Sequence, residues 1–311
     1  MGGKTRQSKD FHEIWNVQTK MQITQEAWDQ KFHNWKEPWN CSGRKRPTGC
    51  TVCEALDLSN GIDIKGNSFR LGIVGDIHAN INGLKKYVDE HPLYYTITLG
   101  DLCIYPDLDS AKKDKKSYEK NTAQIEHIIK SYNDNTLEPF SVHIRSLLGN
   151  HDNFINLEAD IFKTLNMSYL KNGTLLEIGK LVIATLGGIY SPKKFNWNTS
   201  ALKEYNKRFY TQEDINSLYE DIKKLGKPVD ILITHEAAAQ VLPPLPSGVD
   251  EGKDELLTLL KNINPKYYIH GHHHKAHETT YNDIKVIGLG NFKQNDNAFV
   301  EFNIITGERI N

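Results

Sequence analysis

The sequence predicts an α/β fold with mixed β-sheets, and two patterns carry this prediction. From residue 69 onward, short apolar runs rich in β-branched residues alternate with segments of helical periodicity, which is typical of α/β proteins. Two apolar runs on either side of Gly179-Lys180 also predict a β-hairpin, so antiparallel strands join the parallel ones. The chain has 311 residues, enough for one large domain or two small ones.

Three strands and two helices are predicted in the first half of this region. Asn80 is a suitable N-cap for a helix over Ile81–Asp89. A polar, lysine-rich stretch over Ala111–Asn121 leads into a second helix near Thr122–Tyr132. The strands are runs of apolar and β-prone residues, namely Leu71–Val74, Tyr94–Leu99 and Val142–Leu148.

Six strands and two helices are predicted in the second half. Thr211 and Asp214 have the spacing of a capping box, which begins a helix that ends at Gly226. The other helix covers Glu251–Asn262. The strands are Leu175–Ile178, Leu181–Leu186, Val229–Thr234, Tyr267–Ile269, Lys285–Leu289 and Ala298–Ile305.

The composition changes near residue 68, and this change divides the chain in two. Four of the five tryptophans and three of the four cysteines precede that residue. We therefore expect an N-terminal extension over 1–68 and a domain over 69–311. Within the extension, Cys50 and Cys53 form a C-x2-C pair that Cys41, with His33 or His12, would complete as a structural zinc site. The second ligand pair is incomplete, so free thiols are the alternative interpretation.

Charge and cysteine content exclude several classes of protein. The chain carries 38 Lys and Arg against 39 Asp and Glu, so we expect no large, uniformly basic nucleic-acid surface, although a local basic patch would fit. No apolar run approaches the ~20 residues of a membrane span. The basic N-terminus is not followed by the apolar stretch of a secretory signal. Four cysteines form no disulfide framework, so we expect a reducing, cytoplasmic setting.

Five clusters of polar residues share one position, directly after a predicted strand. In open α/β sheets the carboxyl ends of strands form binding sites, so the five clusters are expected to converge. A single His or Asp at a strand end is usually structural, and the interpretation as a site depends on all five occurring together. The clusters are Gly75-Asp76-Ile77-His78, Gly100-Asp101, Gly149-Asn150-His151-Asp152, His235-Glu236 and His270-Gly271-His272-His273-His274.

The residue types of these clusters suit divalent transition metals. Asp and His ligands favour Zn, Mn or Fe, and no cysteine belongs to the clusters. In Asp76-x-His78 and in His272-x-His274 two ligands lie on the same side of an extended strand end, and Asp101 could bridge two cations. Two cations roughly 3.5–4 Å apart hold a hydroxide between them and bind a phosphate for in-line attack.

The clusters resemble the five signature motifs of the calcineurin-like metallophosphoesterase superfamily, which are G-D-x-H, G-D, G-N-H-D/E, a strand-end His, and G-H-x-H. The resemblance covers about residues 69–305 and implies a four-layer α/β/β/α sandwich with two mixed β-sheets. It also implies two divalent metal ions, which could be Mn, Fe, Zn or Ni. The implied ligands are Asp76, His78, Asp101 and His274 for the first ion, and Asp101, Asn150, His235 and His272 for the second.

The resemblance places His151 beside the phosphate, where it would protonate the leaving oxygen or stabilise charge in the transition state. Phosphoprotein phosphatases of the superfamily continue the second motif as G-D-x-x-D-R-G, whose second Asp orients this histidine. Here Ile104 stands in its place and no Arg follows, which argues against a serine/threonine phosphatase. His151 therefore lacks its usual partner unless Asp107, Asp109 or Asp152 substitutes.

A basic and aromatic insert lies between the third and fourth motifs. It begins Gly187-Gly188-Ile189 and loosely resembles a region of RNA lariat-debranching enzymes, although those enzymes have Cys where this chain has Asp76. Flanking phosphates and a stacked base could bind here, and a solvated loop over hydrophobic packing is the alternative. The candidate substrate-binding residues are Lys193, Lys194, Trp197 and Arg208.

Together these observations predict a dinuclear metal-dependent phosphodiesterase, with manganese among the suitable metals. Its partner would be a phosphoester substrate, an RNA or a nucleotide. Two alternatives stay open: a phosphomonoesterase or nucleotide pyrophosphatase of the same superfamily, and a non-catalytic scaffold whose extension recruits another protein. Scaffolds that have lost catalysis usually lose metal ligands, and here all seven are present together with His151, so we expect an enzyme.

Overall fold

Two stacked β-sheets form the centre of the domain in the computed structural model. The structure describes residues 69–243, 247, 249–292 and 297–310, together with the backbone of two short strands at 56–57 and 62–63. The strands of this part of the chain are β1 (Leu56–Asp57), β2 (Ile62–Asp63), β3 (Arg70–Val74), β4 (Tyr95–Thr98), β5 (Ile144–Ser146), β6 (Met167–Tyr169), β7 (Thr174–Ile178), β8 (Leu181–Leu186), β9 (Ile231–Thr234), β10 (Tyr267–His270), β11 (His277–Tyr281), β12 (Ile284–Gly288) and β13 (Phe299–Asn303).

Both sheets are mixed, as the sequence predicts. The five-stranded sheet has the order β13-β3-β4-β5-β6, in which β13 is antiparallel to β3 and the other neighbours are parallel. The six-stranded sheet has the order β11-β12-β10-β9-β8-β7 and is antiparallel only at its two edges. One of those edges, β7 with β8, is the predicted hairpin. The short strands β1 and β2 form an antiparallel pair.

Six α-helices lie in the described part of the chain, and two 3-10 turns cover 199–201 and 204–208. Not one of the described helices combines the length and the apolar character that crossing a bilayer requires. The helices are α1 (Ile81–Glu90), α2 (Leu108–Lys113), α3 (Lys115–Asn133), α4 (Asp160–Thr164), α5 (Gln212–Leu225) and α6 (Asp254–Ile263).

Three hydrophobic clusters show that the domain has four layers. Between the sheets, Leu71 and Ile73 of β3 belong to one buried cluster with Ile231 and Ile233 of β9. A second cluster lies between the five-stranded sheet and helices α1, α3 and α4, and a third between the six-stranded sheet and helices α5 and α6. Alternation along each strand sends neighbouring side chains to opposite faces. The predicted α/β/β/α sandwich is therefore confirmed.

Helix ends follow their predicted signals, with one large difference in length. Asn80 caps α1, and Thr211 forms the predicted capping box of α5, which ends at Gly226 in the left-handed conformation. The helix predicted near Thr122–Tyr132 begins seven residues earlier, at Lys115, because the side chain of Asp114 accepts a hydrogen bond from the third helical residue. The lysine-rich stretch is thus helical. The patterns gave no prediction for β1, β2, α2, β6, α4 and β11.

A buried carboxylate, Glu301, ties helix α1 to the five-stranded sheet. Its oxygens accept hydrogen bonds from Arg70 Nη1 at 3.0 Å and from Tyr87 OH at 3.2 Å, and they also contact His91 Nδ1. The Glu301 side chain is almost fully buried, so these partners replace the water it would otherwise bind.

Replacing Glu301 by Ala is expected to lower the free energy of unfolding by about 3 kcal/mol, because Arg70, Tyr87 and His91 lose their shared buried acceptor at once. Urea unfolding followed by circular dichroism measures this change. Glu308→Ala is the matched control, since Glu308 forms an exposed ion pair with Lys266 whose loss changes stability by about 1 kcal/mol or less. Equal effects of the two substitutions would contradict the prediction.

Candidate metal centre

The five polar clusters lie in loops at the carboxyl ends of the central strands. Asp76, Asp101 and Asn150 follow β3, β4 and β5, which are neighbouring parallel strands. His235 and His272 follow β9 and β10, which are parallel neighbours in the other sheet. Because the two sheets stack, the loops of both reach one place.

Asp76, His78, Asp101 and His274 form the first group of candidate metal ligands, with ligand atoms within 4.8 Å of one another. The Nε2 atoms of His78 and His274 are 2.8 Å apart, and His274 Nε2 lies 3.2 Å from Asp76 Oδ2. Two ligands bound at right angles to one cation, each at about 2.1 Å, lie about 3.0 Å apart. These separations therefore fit side chains that share a cation.

Asp101, His235 and His272 form the second group, also with ligand atoms within 4.8 Å of one another. His235 Nε2 lies 3.7 Å from Asp101 Oδ1 and 3.3 Å from Asn150 Oδ1. The other oxygen of Asp101, Oδ2, lies 3.8 Å from His78 Nε2 in the first group. One carboxylate thus faces both groups, which is the arrangement that a bridge between two cations requires.

Two buried atoms of the site, one of His235 and one of Asp76, are suited to bind a cation. His235 Nδ1 donates a hydrogen bond to the backbone oxygen of Leu99 at 2.7 Å, which leaves the lone pair on Nε2, the nitrogen that faces the site. Asp76 Oδ1 is buried and has no hydrogen-bond partner among the described residues. A buried carboxylate oxygen without a partner is unfavourable unless a cation binds it. The set of carboxylates, imidazoles and one amide suits Mn, Fe, Zn or Ni.

Burial and neighbouring charge set the protonation of these groups. Burial, followed by the charge of His235, lowers the pKa of His272 to about 2, and burial also lowers the pKa of His78. Burial by itself would raise the pKa of Asp101, but the imidazoles of His235, His78 and His151 outweigh it, and the pKa lies below its usual range. Neutral His272 and His78 and an ionised Asp101 are the forms that bind cations. Burial lowers the pKa of His235, but the carboxylates of Asp101 and Asp76 outweigh burial and raise it, so a cation would compete with a proton at this imidazole.

The backbone of the site is strained. His78, Asp101, His272 and His274 have φ angles of 45°, 49°, 64° and 55°, in the left-handed region that residues with a Cβ rarely adopt. Such conformations cost of order 1–3 kcal/mol each and cluster at functional sites. The site also leaves no room for a side chain at position 149, because a Cβ on Gly149 would overlap the Asp101 carboxylate.

Asp114, which no sequence pattern singled out, holds the ring of His151. His151 Nδ1 lies 2.9 Å from Asp114 Oδ2, which also accepts a hydrogen bond from Tyr105 OH at 3.2 Å. The backbone N–H of His151 donates to Asp101 Oδ1 at 2.7 Å, so ring and backbone are both fixed. Burial lowers the pKa of His151, but the two carboxylates outweigh this effect and raise it above its usual value.

The three carboxylates that the sequence suggested as partners of His151 lie elsewhere. Asp107 caps helix α2 through the backbone N–H of Ser110, and Asp109 is exposed on that helix. Asp152 is buried and accepts hydrogen bonds from the backbone N–H groups of Leu102 and Gly149. Asp152 therefore joins the loop after β4 to the loop after β5. The second aspartate of the G-D-x-x-D-R-G motif is absent from this chain, and Asp114, at the junction of α2 and α3, contacts His151 instead.

A cavity of about 430 Å³ lies over both metal-ligand groups. His151 lines it together with five of the seven candidate ligands. Helix α3 and the loop after β12 add side chains that the sequence patterns did not single out. These additional residues are Lys116, Ser117, Lys120, Asn121 and Asn291.

The four substrate-binding candidates of the insert lie outside the lining of this cavity. Lys194 Nζ is 3.2 Å from the ring centroid of Trp197, and Trp197 lines a separate surface groove beside helix α5. The Arg208 guanidinium lies 5.1 Å from the ring centroid of Phe209, and Lys193 is exposed. These four residues could therefore contact only a part of the substrate that extends outside the cavity.

The proposed zinc ligands Cys41, Cys50, Cys53 and His33 or His12 lie outside the described residues. The described cysteine, Cys103, is buried beside the site, with its Sγ 3.6 Å from His78 Nδ1. It packs there without belonging to either ligand group.

Solved structures with similar folds include three proteins of low sequence identity. TT1561 of Thermus thermophilus is 12% identical, with a TM-score of 0.48, and the match covers 77% of this chain and 96% of that one. An archaeal phosphodiesterase is 11% identical (TM-score 0.35; 77% and 96% covered). The phosphopantetheinyl hydrolase of Mycobacterium tuberculosis is also 11% identical (TM-score 0.41; 74% and 94% covered). The search of curated proteins found no match.

Residues 69–276 match the family model of the calcineurin-like phosphoesterases. The match spans all seven candidate ligands of the two-cation site as well as His151. It covers most of the chain, and the four-layer fold and the two ligand groups agree with it. The chain therefore belongs to the calcineurin-like phosphoesterase family and is a metal-dependent phosphoester hydrolase.

Proposed function

We propose that the chain is a dinuclear metal-dependent phosphodiesterase that acts on a nucleotide or nucleic-acid phosphodiester. The observation that carries this proposal is the pair of ligand groups that share Asp101 and lie, with His151, around one cavity. Two ligand groups with a common carboxylate suit two neighbouring cations, and the cavity gives a phosphoester access to both. The small number of cysteines supports the reducing, cytoplasmic setting in which we place the enzyme.

In this proposal seven residues hold two divalent cations. The cations, when bound, supply Lewis-acid chemistry that activates water and neutralises the phosphate oxygens. Manganese is our first choice, since carboxylate, amide and imidazole ligands all suit it. The first cation would be held by Asp76, His78, Asp101 and His274, and the second by Asp101, Asn150, His235 and His272.

His151 would donate a proton to the leaving oxygen. Asp114 accepts a hydrogen bond from Nδ1, which orients the ring and leaves Nε2 for the substrate. The His151 and His78 rings are 6.2 Å apart between centroids, so the ring of His151 lies beside the first ligand group. This position suits a group that acts on the phosphate without binding a cation itself.

The lining of the cavity favours a diester. Among the described residues that line it there is no arginine, and an arginine is the side chain that binds the extra oxygens of a dianionic monoester in a bidentate way. A diester has only two non-bridging oxygens. The second candidate, a phosphomonoesterase or nucleotide pyrophosphatase, is favoured by two lysines in the same lining, which could neutralise further charge.

Hydrolysis of bis-p-nitrophenyl phosphate and p-nitrophenyl phosphate by the full chain tests the proposal. We expect turnover of the diester to exceed that of the monoester, to disappear after chelation and to return with Mn²⁺. Faster cleavage of the monoester would favour the phosphomonoesterase. No turnover of either substrate by protein that holds two metal ions per chain would contradict both candidates.

A further inference from the structure

We propose that Cys103 is a positioning residue for His78: its sulfur accepts the Nδ1 proton of this imidazole and so keeps the Nε2 lone pair on the side of the first cation. The inference rests on the metal centre of the proposed function and is independent of the phosphoester that the centre cleaves. Cys103 lies two residues after Asp101, in the loop that follows β4. Its Sγ atom is 3.6 Å from His78 Nδ1, a distance that suits the large radius of sulfur.

The two nitrogens of the His78 ring have different surroundings. Nε2 faces the other ligands of the first group, 2.8 Å from His274 Nε2 and 3.8 Å from Asp101 Oδ2, whereas Nδ1 faces the thiol of Cys103. A neutral imidazole carries one proton, so a cation at Nε2 requires the proton to be on Nδ1. A histidine that binds a metal almost always donates this second N–H to another group, which fixes the orientation of the ring. Among the described residues, Cys103 is in the position to accept it.

The other contacts of the thiol leave its sulfur free to accept from His78. The S–H group donates to the backbone oxygen of Asp101 at 3.6 Å, which uses the one proton of the thiol. Ser117 Oγ donates to Sγ at 2.9 Å, so the sulfur already acts as an acceptor. Cys103 is fully buried, and burial favours the neutral thiol that this arrangement requires. One distribution of protons therefore satisfies all three contacts.

The backbone at Cys103 is strained, which supports a role for this side chain beyond packing. Its φ angle is 54°, in the left-handed region that Gly, Asn and Asp adopt more readily than cysteine. The backbone N–H of Cys103 donates to the oxygen of His151 at 3.2 Å, and that of His78 donates to the oxygen of Asp101 at 2.8 Å. These bonds hold the two loops together and keep the strained residue in place. Strain that is maintained in this way is typical of functional sites.

The first turn of helix α3 supports two histidines of the site. Ser117 is buried in the wall of the cavity, and its backbone N–H donates to Asp114 Oδ1 at 3.3 Å. Asp114 also contacts His151 Nδ1 at 2.9 Å, so it positions His151 directly. Ser117 acts on His78 through Cys103. The separation of 6.2 Å between the rings of His78 and His151 therefore depends on contacts from one turn of helix.

The experiment measures the affinity of the full chain for Mn²⁺ by calorimetric titration after chelation, in Cys103→Ala and Cys103→Ser. Alanine removes the acceptor, whereas serine is close to alanine in size and supplies a hydroxyl, which accepts hydrogen bonds more strongly than a thiol. For Cys103→Ala we expect one of the two ions to bind about 10-fold or more weakly. Cys103→Ser should bind that ion within about 3-fold of the wild-type affinity. The ion that His78 does not contact should be affected much less.

Rescue by serine separates positioning from packing, because both substitutions leave a similar space beside His78. Equal Mn²⁺ affinities of the two Cys103 variants, whether weak or strong, would overturn the inference and leave the proposed function standing. Ser117→Ala should weaken the same ion about 3-fold, and Ser131→Ala, the same change near the other end of α3, is the control. Wild-type affinity in Ser117→Ala would overturn the inference even if neither Cys103 variant folds. A wild-type chain that binds no Mn²⁺ would overturn the inference together with the proposed function.

Discussion

Replacing Asp101 by Asn is expected to lower the metal content below two ions per chain and to reduce kcat/KM by about 10³-fold or more. The two oxygens of this carboxylate face different groups, with His235 Nε2 3.7 Å from Oδ1 and His78 Nε2 3.8 Å from Oδ2. Asparagine keeps the shape of the side chain but has no charge and only one oxygen. It can therefore bind one cation weakly and cannot bridge two.

Metal content by mass spectrometry and diester hydrolysis, measured on the same preparation, test this prediction. Asp109→Asn is the matched control, because it makes the same chemical change at an exposed position on helix α2. Circular dichroism should show that both variants are folded. An Asp101→Asn variant that still holds two ions per chain and hydrolyses the diester at the wild-type rate would contradict the role of Asp101 as a bridge.

Replacing Asp114 by Asn is expected to lower kcat by about 10²-fold with little change in KM or in metal content. Asp114 accepts a hydrogen bond from His151 Nδ1 at 2.9 Å, and its negative charge favours the protonated imidazole that donates to the leaving oxygen. Asn is as good an N-cap as Asp, so helix α3 should persist. We therefore expect the Asp114→Asn variant to be impaired in proton donation by His151, because Asp114 is the residue that positions the His151 ring.

The choice of leaving group separates this role from a merely structural one. An acidic leaving group such as nitrophenol departs without a proton, whereas an alcohol needs one. The Asp114→Asn defect should therefore be larger for a dinucleoside monophosphate than for bis-p-nitrophenyl phosphate. The control is Asp107→Asn, which alters the N-cap of the neighbouring helix α2. Equal defects on the two substrates would show that Asp114 serves only the structure.

The sequence was sufficient for the fold class and for the candidate ligands, because both depend on local patterns. An apolar strand followed by Gly and Asp or His is visible in a few consecutive residues, as in Gly75-Asp76-Ile77-His78. Parallel neighbours in a sheet have their carboxyl ends at one edge, so these loops had to meet once the strands paired. The resemblance to a known family then assigned the ligands to two groups.

The partner of His151 shows what the sequence patterns could not provide. Asp114 is separated from His151 by 37 positions, and in the sequence it stands within a lysine-rich stretch that resembles any solvated surface. Only the packing of α3 against the five-stranded sheet, through Ile125, Ile128 and Ile129, brings the start of this helix to the site. The same packing brings Lys116 and Lys120 into the cavity.

The sequence by itself thus indicated the fold class, the family, the candidate strand-end ligands and the helix caps Asn80 and Thr211. The tertiary structure alone decided the partner of His151, the lysines of the cavity and the place of the insert beside a separate groove. The physical reason is the range of the interactions. A cap or a strand-end ligand depends on neighbours within a few residues, whereas the face that an exposed helix presents to a distant loop depends on how the whole core packs.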